Sequence, residues 1–293
     1  MSLVPEDAFP VVQPEADWMR DAFGRRRAVL DAIQRAYETH DAAIHMDDEM
    51  WNGLVTGGSH VGPAARWARL HYMYGGRSAL RSIGNALMAA DAPMPARILD
   101  FPCGHGRVTR FLRAAFPAAT IYAGDLNTGG IRFCAERFGA IPVQSQVDLT
   151  QVELPTELDL VWCGSLITHL PEEECLTVCR RLVDSLAPGG IAGITVCSRG
   201  MAWAQQNLFP TIDDDRFAGI AEAVRDQGFG YADYPGAAAY GMTFVDLRWV
   251  RKVVESRTDA CLLSYAEKGW HDSQDVVWLI KRPLSAWYHW GQD

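Results

Sequence analysis

Seven residues decide the fold of this chain: Asp100-Phe101-Pro102-Cys103-Gly104-His105-Gly106. They follow a short apolar run over residues 97–101 and precede a helical pattern that places Val108, Phe111 and Leu112 on one face. The two glycines let the backbone turn sharply and approach a ligand closely, because no Cβ stands in the way. The first amides of the following helix then point at whatever is bound. The stretch therefore predicts a strand, a ligand-binding turn and a helix.

Downstream of this turn, apolar runs and helical patterns alternate. Further strands are predicted over residues 120–124, 141–145, 158–163 and 191–197. Between them, Ile131, Cys134, Ala135 and Phe138 repeat at helical spacing, and Pro171 suits the first position of another helix. Such alternation is typical of parallel strands joined by helical crossovers, as in a doubly wound sheet.

The end of the chain departs from simple alternation. A helix is predicted over residues 243–256, and two strands follow over 259–266 and 275–281. Two neighbouring strands with so short a connection can pair only in the antiparallel sense. The predicted fold class is therefore α/β: a doubly wound, mostly parallel seven-stranded sheet that ends in an antiparallel hairpin, preceded by an N-terminal helical extension.

The first ninety residues are predicted to be helical, over 16–43, 47–55, 63–74 and 78–90. We expect the pair Gly75-Gly76 to stop or kink the third of these helices. The stiff run at 91–95 indicates a boundary between a helical extension or lid over 1–92 and a Rossmann-like domain over 93–293. Within the second unit, an aromatic-rich insertion without a strand signal is predicted to form a cap at about 199–242.

Composition and charge narrow the class of protein. The chain is 48% hydrophobic and 22% charged, which is ordinary for a globular enzyme and excludes disordered, collagen-like and coiled-coil proteins. Its 27 basic and 36 acidic residues give a net charge of −9. Such a chain lacks the basic field that drives non-specific binding to nucleic acid, so we expect no nucleic-acid partner.

The sequence predicts a cytoplasmic protein without a membrane partner or a metal. No apolar run reaches the ~18–20 residues of a membrane helix, and the first ten residues lack the pattern of a signal peptide. The seven cysteines are odd in number and include no C-x-x-C pair, so reduced thiols explain them better than disulfides or a zinc site. The acidic cluster Asp213-Asp214-Asp215 is better explained as a solvated turn than as a divalent-ion site.

Acidic residues mark the ends of three successive predicted strands. Asp100 precedes the glycines, Asp125 ends the second strand, and Asp148 follows the third. A carboxylate at the second position can accept both hydroxyls of an adenosine ribose, one at the third can accept from the adenine amine, and Asp100 can take a ligand ammonium. The alternative for each residue alone is a cap or a solvated turn.

These acids also favour one kind of cofactor. A pyrophosphate would be repelled by carboxylates beside the first glycine, and the dinucleotide fingerprint expects a third small residue where Thr109 stands. A molecule with an adenosine, a positive centre and no phosphate suits the residues better. S-adenosylmethionine is such a molecule.

The stretch from residue 97 to residue 282 resembles the class I S-adenosylmethionine-dependent methyltransferases. The stretches that carry the resemblance are residues 98–106, Asp125, Asp148-Leu149, residues 158–166 through His169, and residues 186–190. One departure is Pro102, where the family usually has glycine. The resemblance implies S-adenosylmethionine as cofactor and methyl transfer as the reaction. The cofactor-binding residues it implies are Asp100, Phe101, Pro102, Cys103, Gly104, Gly106, Asp125, Leu126, Asp148, Leu149 and Cys163.

His169, at the end of the predicted fourth strand, is the candidate general base. The reaction requires a base only when the acceptor is protonated at the working pH. The alternative for His169 is a cap or packing role against the helix that begins near Pro171. His105 is expected to line the cofactor, and Cys103 and Cys163 to line the pocket, with a nucleophilic role as the less favoured alternative.

Three functions are compatible with these residues. The first is methyl transfer to a small-molecule acceptor, with the cap as lid of the acceptor pocket. The second is a nucleotide-dependent oxidoreductase of the NAD type, which shares Asp125 but predicts neither Asp148 nor the terminal hairpin. The third is a non-catalytic S-adenosylmethionine-binding module. The aromatic insertion also suits an oligomer contact, so the sequence leaves a homo-oligomer open.

Overall fold

The computed structural model describes residues 17–55, 62–208, 210–255 and 259–282, and it contains nine strands. Their bounds are β1 Arg97–Asp100, β2 Thr120–Asp125, β3 Ile141–Gln144, β4 Leu158–Cys163, β5 Leu186–Val196, β6 Phe229–Asp233, β7 Gly241–Val245, β8 Ala260–Trp270 and β9 Gln274–Lys281. Seven of them form one sheet in the order β3-β2-β1-β4-β5-β9-β8. Strands β1 to β5 are parallel, whereas β9 runs antiparallel to β5 and β8 antiparallel to β9. The predicted fold class is confirmed.

Helices cover both faces of this sheet. Their bounds are α1 Asp17–Thr39, α2 Glu49–Leu54, α3 Gly62–Ala89, α4 Thr109–Ala115, α5 Thr128–Phe138, α6 Glu172–Ser185, α7 Arg199–Asn207, α8 Asp214–Gln227 and α9 Leu247–Glu255. Within the described ranges, none of these helices combines the length and the hydropathy that a membrane crossing requires. All seven cysteines are free thiols.

Two apolar cores lie on opposite faces of the sheet. Because successive residues of a strand point to opposite faces, Leu160 and Trp162 of β4 belong to one core and Val161 and Cys163 to the other. The first core also takes buried residues from α1, α3 and α4, and the second takes them from α6 and α9. The N-terminal helices therefore share a core with the sheet.

Helix α3 runs without interruption through Gly75 and Gly76, so the predicted stop at this pair is wrong. The pair is needed for packing instead. A Cβ on Gly75 would lie 2.4 Å from the Arg107 guanidinium, and a Cβ on Gly76 would lie 2.3 Å from the ring of Phe111. The two glycines thus let α3 approach the glycine turn and α4 closely, and this contact offsets their low helix propensity.

The insertion after β5 was predicted to lack strands, and this prediction is wrong as well. It contains β6, which pairs antiparallel with β7 as a separate two-stranded sheet. Residues 243–245, predicted to begin a helix, belong to β7, and α9 begins only at Leu247. Met242 and Phe244 are buried in a small third core between this hairpin and the helices of the insertion. This burial against residues that are distant in the sequence stabilises the hairpin. The sequence did not predict β6, because the strand is too short and too mixed in composition.

We expect Gly76→Ala to lower the free energy of unfolding by roughly 1–3 kcal/mol, as overpacking of a filled core does. Gly24→Ala is the matched control, because Gly24 lies exposed in α1 and its Cβ would meet no atom within 4 Å. That control should raise the free energy of unfolding by roughly 0.5–1 kcal/mol. Urea unfolding of the two variants measures both values. Equal effects would contradict the packing role of Gly76.

Candidate active site

The predicted site residues meet at one edge of the sheet, where the parallel strands end. Asp100 closes β1 and lies beside Ala123 of β2 and Trp162 of β4 in the strand register. The strand order reverses between β1 and β4, and ligands of open α/β sheets bind at such a point.

The turn after β1 depends on its two glycines. Gly104 and Gly106 have φ angles of +50° and +75°, which favour glycine. A Cβ on Gly104 would meet no atom within 4 Å, whereas one on Gly106 would lie 2.4 Å from the ring of Phe138. Gly106 therefore packs against α5, and Gly104 leaves open space. The peptide bond between Phe101 and Pro102 is cis.

Asp125 ties the end of β2 to this turn. Its Oδ2 accepts a hydrogen bond of 2.7 Å from the Gly104 amide, and its Oδ1 accepts one of 2.9 Å from the Asn127 amide. Asn127 in turn caps α5 by accepting from the Gly130 amide. The Asp125 carboxylate is half-buried and keeps lone pairs on both oxygens for further donors.

Asp100 is a buried carboxyl group with one free oxygen. Only 1% of the residue is exposed, Oδ2 accepts from the Thr109 hydroxyl at 2.6 Å, and Oδ1 has no hydrogen-bond partner. Burial raises the pKa of Asp100 to about 7, and the nearby Asp125 charge raises it further against the opposing effect of the Thr109 bond. Asp100 can thus change protonation near neutral pH.

Unpartnered buried polar atoms gather at this edge of the sheet. The described residues contain five such atoms, and four of them belong to Asp100, His105, Trp162 and Gln274. Asp100 and His105 lie at the end of β1, Trp162 near the end of β4, and Gln274 at the start of the antiparallel β9. Buried polar groups in proteins normally have partners, so this concentration indicates a place where a polar ligand binds.

Asp148, predicted to contact the adenine, and two further predicted cofactor-binding residues lie after the ends of β2 and β3. Asp148 is exposed, and its Oδ1 accepts from the amide and the hydroxyl of Thr150 at 2.9 and 2.6 Å. The Thr150 hydroxyl bond is the main reason that the pKa of Asp148 is lowered, so this group is a carboxylate at neutral pH. Leu126 is 54% exposed, and Leu149 is half-buried.

His169 lies in a short 3-10 turn after β4 and is held by the insertion. Its Nδ1 lies 3.1 Å from the carbonyl oxygen of Gly241 and 3.0 Å from the hydroxyl of Tyr234. Because a carbonyl can only accept, Nδ1 carries the proton and Nε2 keeps its lone pair. Burial lowers the pKa of His169, which favours the neutral ring. This is the protonation state of a general base.

Ser165 links His169 to the rest of the sheet, and the sequence did not single it out. Its Oγ lies 3.4 Å from His169 Nε2 and accepts a bond of 3.0 Å from Gln274 Nε2. The backbone of Ser165 has a φ of +58°, and its amide donates to the Thr195 hydroxyl. A residue other than glycine in this region is strained, and such strain clusters at functional sites. The position directly after the Cys163-Gly164 strand end was the available signal. Two of its partners, Thr195 and Gln274, lie 30 and 109 positions away in the sequence.

The other predicted pocket residues are buried. His105 is 4% exposed and stacks on His45 with ring centroids 5.0 Å apart. The pKa of the Cys103 thiol is raised by its contact with Cys134 and by burial, and burial raises the pKa of Cys163. Both cysteines are therefore neutral thiols at pH 7, as pocket-lining residues would be.

Two further acidic residues, Glu49 and Asp213, accept hydrogen bonds from neighbouring residues. Glu49 of α2 accepts a hydrogen bond of 3.1 Å from the Asn127 side chain, so the N-terminal helices reach the edge of the site. Asp213, from the acidic cluster, caps α8 by accepting from the Arg216 amide. In the part of the chain that the structure describes, no group of three or more His, Cys, Asp or Glu side chains is placed to hold a metal.

Comparison with known proteins agrees with this geometry. Residues 98–190 match the family model described as "Methyltransferase domain". A trans-aconitate 2-methyltransferase of Methylobacterium nodulans is 28% identical over 130 residues, which is 44% of this chain and 49% of that protein. A malonyl-[acyl-carrier protein] O-methyltransferase of Methylococcus capsulatus is 29% identical over 205 residues, covering 62% of this chain and 66% of that protein. The chain thus spans about half the length of the first relative.

Solved structures share the fold. An S-adenosylmethionine-dependent methyltransferase from Clostridium acetobutylicum has a TM-score of 0.50 at 14% identity, over 75% of this chain and 98% of that one. The PH0226 protein from Pyrococcus horikoshii has a TM-score of 0.50 at 14% identity, over 70% and 91%. Residues 98–190 are thus similar to a methyltransferase domain, and the strand order of the sheet agrees with the fold of the class I S-adenosylmethionine-dependent methyltransferases.

Proposed function

We propose that this protein transfers a methyl group from S-adenosylmethionine to a small-molecule acceptor. When bound, S-adenosylmethionine supplies a methyl group that its sulfonium already activates. The observation that carries the proposal is the set of four unpartnered buried polar atoms at the carboxyl ends of β1 and β4 and at the start of β9. The relatives act in the same class of reaction, since their names describe them as methyltransferases. Neither the relatives nor the antiparallel end of the sheet favours the oxidoreductase alternative.

The residues at the sheet edge fit this cofactor. Asp125 would accept the ribose hydroxyls, since both of its oxygens keep free lone pairs. Asp148 would accept from the adenine amine through Oδ2, because only Oδ1 bonds to Thr150. Asp100 would accept from the ammonium through its unpartnered Oδ1. The remaining residues that we propose to line the cofactor are Phe101, Pro102, Cys103, Gly104, Gly106, Leu126, Leu149 and Cys163.

We propose His169 as the general base for an acceptor that must lose a proton. Its Nε2 lone pair, which lies 3.4 Å from the Ser165 hydroxyl, can take that proton, because Nδ1–H is committed to the Gly241 carbonyl. The same carbonyl stabilises the imidazolium that forms, and Tyr234 keeps the ring in place from the insertion. Alignment of the acceptor and exclusion of water supply the rest of the rate enhancement.

The insertion and the N-terminal helices are proposed to enclose the acceptor, as cap and lid. Tyr234 and Gly241 of the insertion contact His169, and Glu49 of α2 contacts Asn127 beside Asp125. The acidic net charge of −9 supports a small acceptor rather than a nucleic acid. Six buried free thiols support the proposed cytoplasmic location.

Asp125→Ala is expected to weaken binding of S-adenosylhomocysteine at least 100-fold, because two hydrogen bonds to a charged group are lost. Isothermal titration with S-adenosylmethionine, S-adenosylhomocysteine and NAD measures this effect. Asp214→Ala, at an exposed aspartate of α8, is the control and should bind like the original chain. A binding heat for NAD, with none for S-adenosylmethionine or S-adenosylhomocysteine, would overturn the proposed function. Circular dichroism checks that both variants fold.

Binding of S-adenosylhomocysteine should depend on pH through Asp100. With a pKa of about 7 in the free protein, Asp100 is mostly protonated at pH 6 and mostly charged at pH 8. A ligand ammonium prefers the carboxylate, so the affinity should rise about tenfold between these pH values. Asp100→Asn should remove this rise. The same rise in affinity between pH 6 and pH 8 in Asp100→Asn would show that another group titrates.

The tautomer of His169 can be measured directly. We expect nitrogen-15 NMR to show a proton on Nδ1 and none on Nε2 at neutral pH, with a pKa below the usual 6.5. His169→Gln assigns the signal, and it should retain S-adenosylhomocysteine binding while losing 10²–10⁴-fold in rate with an acceptor that ionises. A proton found on Nε2 would exclude His169 as the base.

A further inference from the structure

A large cavity lies outside the candidate active site. It occupies about 520 Å³ between α7, α8, β7, the start of α9, and β8. None of its lining residues belongs to the glycine turn, and His169 is not among them. Protein interiors contain few voids larger than a water molecule, whereas sites for small molecules measure about 300–1,000 Å³. The volume therefore lies in the range of small-molecule sites.

Strand β7 separates this cavity from His169. The carbonyl of Gly241 faces His169, and the side chain of Thr243 donates to the carbonyl of Leu170 just after it. Phe244, the next residue, points to the opposite side and lines the cavity. The cavity is thus a second site, one strand away from the proposed base.

The cavity has a buried apolar floor and an exposed charged rim. Ile220 and Phe244 form the floor and are at most 4% exposed. At the rim, Arg199 pairs with Glu267 at 3.0 Å and Arg248 pairs with Asp246 at 2.6 Å.

The rim charges define what the cavity can accept. Among the described residues, these four are all the charged residues that line the cavity, and each is paired with another of them. A charged ligand would have to break one of these pairs or enter without a counter-ion. The lining therefore selects a neutral molecule.

The two hydroxyl groups of the lining define the polar end of that molecule. Ser198 and Tyr265 both donate to Oδ2 of the fully buried Asp275, whose Oδ1 accepts from the Lys268 amide at 2.8 Å. Burial and the hydrogen bond to Asp275 raise the pKa of Tyr265, so the phenol keeps its proton at neutral pH. A hydroxyl that has donated its only hydrogen can still accept one. Both groups therefore require a donor on the ligand, and Asp275 repels an anion.

We propose that this cavity binds a neutral, largely apolar small molecule that carries an O–H or N–H donor. Phenols, alcohols and indoles have this chemistry. The proposal does not rest on methyl transfer, because none of the residues that support it belongs to the cofactor site.

Three naphthalene probes of matched shape test the proposal on the full chain at pH 7. We expect 2-naphthol, which is neutral and carries a donor, to quench or shift its fluorescence on binding. Naphthalene lacks the donor and should bind about five- to tenfold more weakly. The anion 2-naphthoate should not bind at the same concentrations. Equal binding of all three probes would overturn the proposed ligand class.

Two variants place the probe. Ala221→Phe fills the cavity from α8 and should abolish 2-naphthol binding, whereas Ala218→Phe on the same helix lies outside the lining and should leave it unchanged. Tyr265→Phe should reduce the preference for 2-naphthol over naphthalene, because one acceptor is removed. Undiminished binding in Ala221→Phe would overturn the location.

A competition experiment separates this site from the cofactor site. Saturating S-adenosylhomocysteine should leave 2-naphthol binding intact, and displacement would place the probe at the glycine turn and overturn the second site. Loss of S-adenosylhomocysteine binding with intact 2-naphthol binding would contradict the proposed function and leave this inference standing. The two proposals can thus fail separately.

Discussion

The hydrogen bond of 2.7 Å from the Gly104 amide to the Asp125 carboxylate is the constraint on which the site depends. It joins the turn after β1 to the end of β2, so the two strand ends cannot move independently. The second oxygen of the same carboxylate holds the Asn127 amide, and Asn127 caps α5. One side chain thereby sets the glycine turn and the start of the following helix. The proposed ribose contacts are built on a group that is already oriented.

The N-terminal helices fix the other side of the same turn. Arg107 donates from a half-buried position to the carbonyl of Tyr72 in α3, and the buried Arg110 donates to the carbonyls of Gly106 and Ala43. These guanidinium groups bond to backbone carbonyls of the turn and of the helical segment at once. Because α3 lies against the turn at Gly75 and Gly76, any side chain there would push the two apart. The turn is therefore clamped between the sheet and the extension.

How far the sequence predicts this structure depends on the range of the interaction. Strand ends, caps and glycine turns are local, and Asp100, Asp125 and Asp148 were correctly placed at three successive strand ends for that reason. Gly75-Gly76 was misread because a contact with α4, not the local propensity, decides its conformation. Strand β6 and the partners of His169 were missed because Tyr234 and Gly241 reach it from 65 or more positions away. No periodicity in one chain reports a contact of that length.

The way in which His169 is held has a consequence for any change of substrate. The insertion that carries Tyr234 and Gly241 also determines which nitrogen of the imidazole bears the proton. In the proposed reaction, specificity and acid–base chemistry therefore share one structural element. Grafting a foreign insertion onto this sheet would replace the acceptor pocket and release the histidine ring in the same step. A replacement insertion keeps the proton on Nδ1 of His169 only if it also places a carbonyl oxygen beside that nitrogen. In this chain, Gly241 at the start of β7 provides that oxygen.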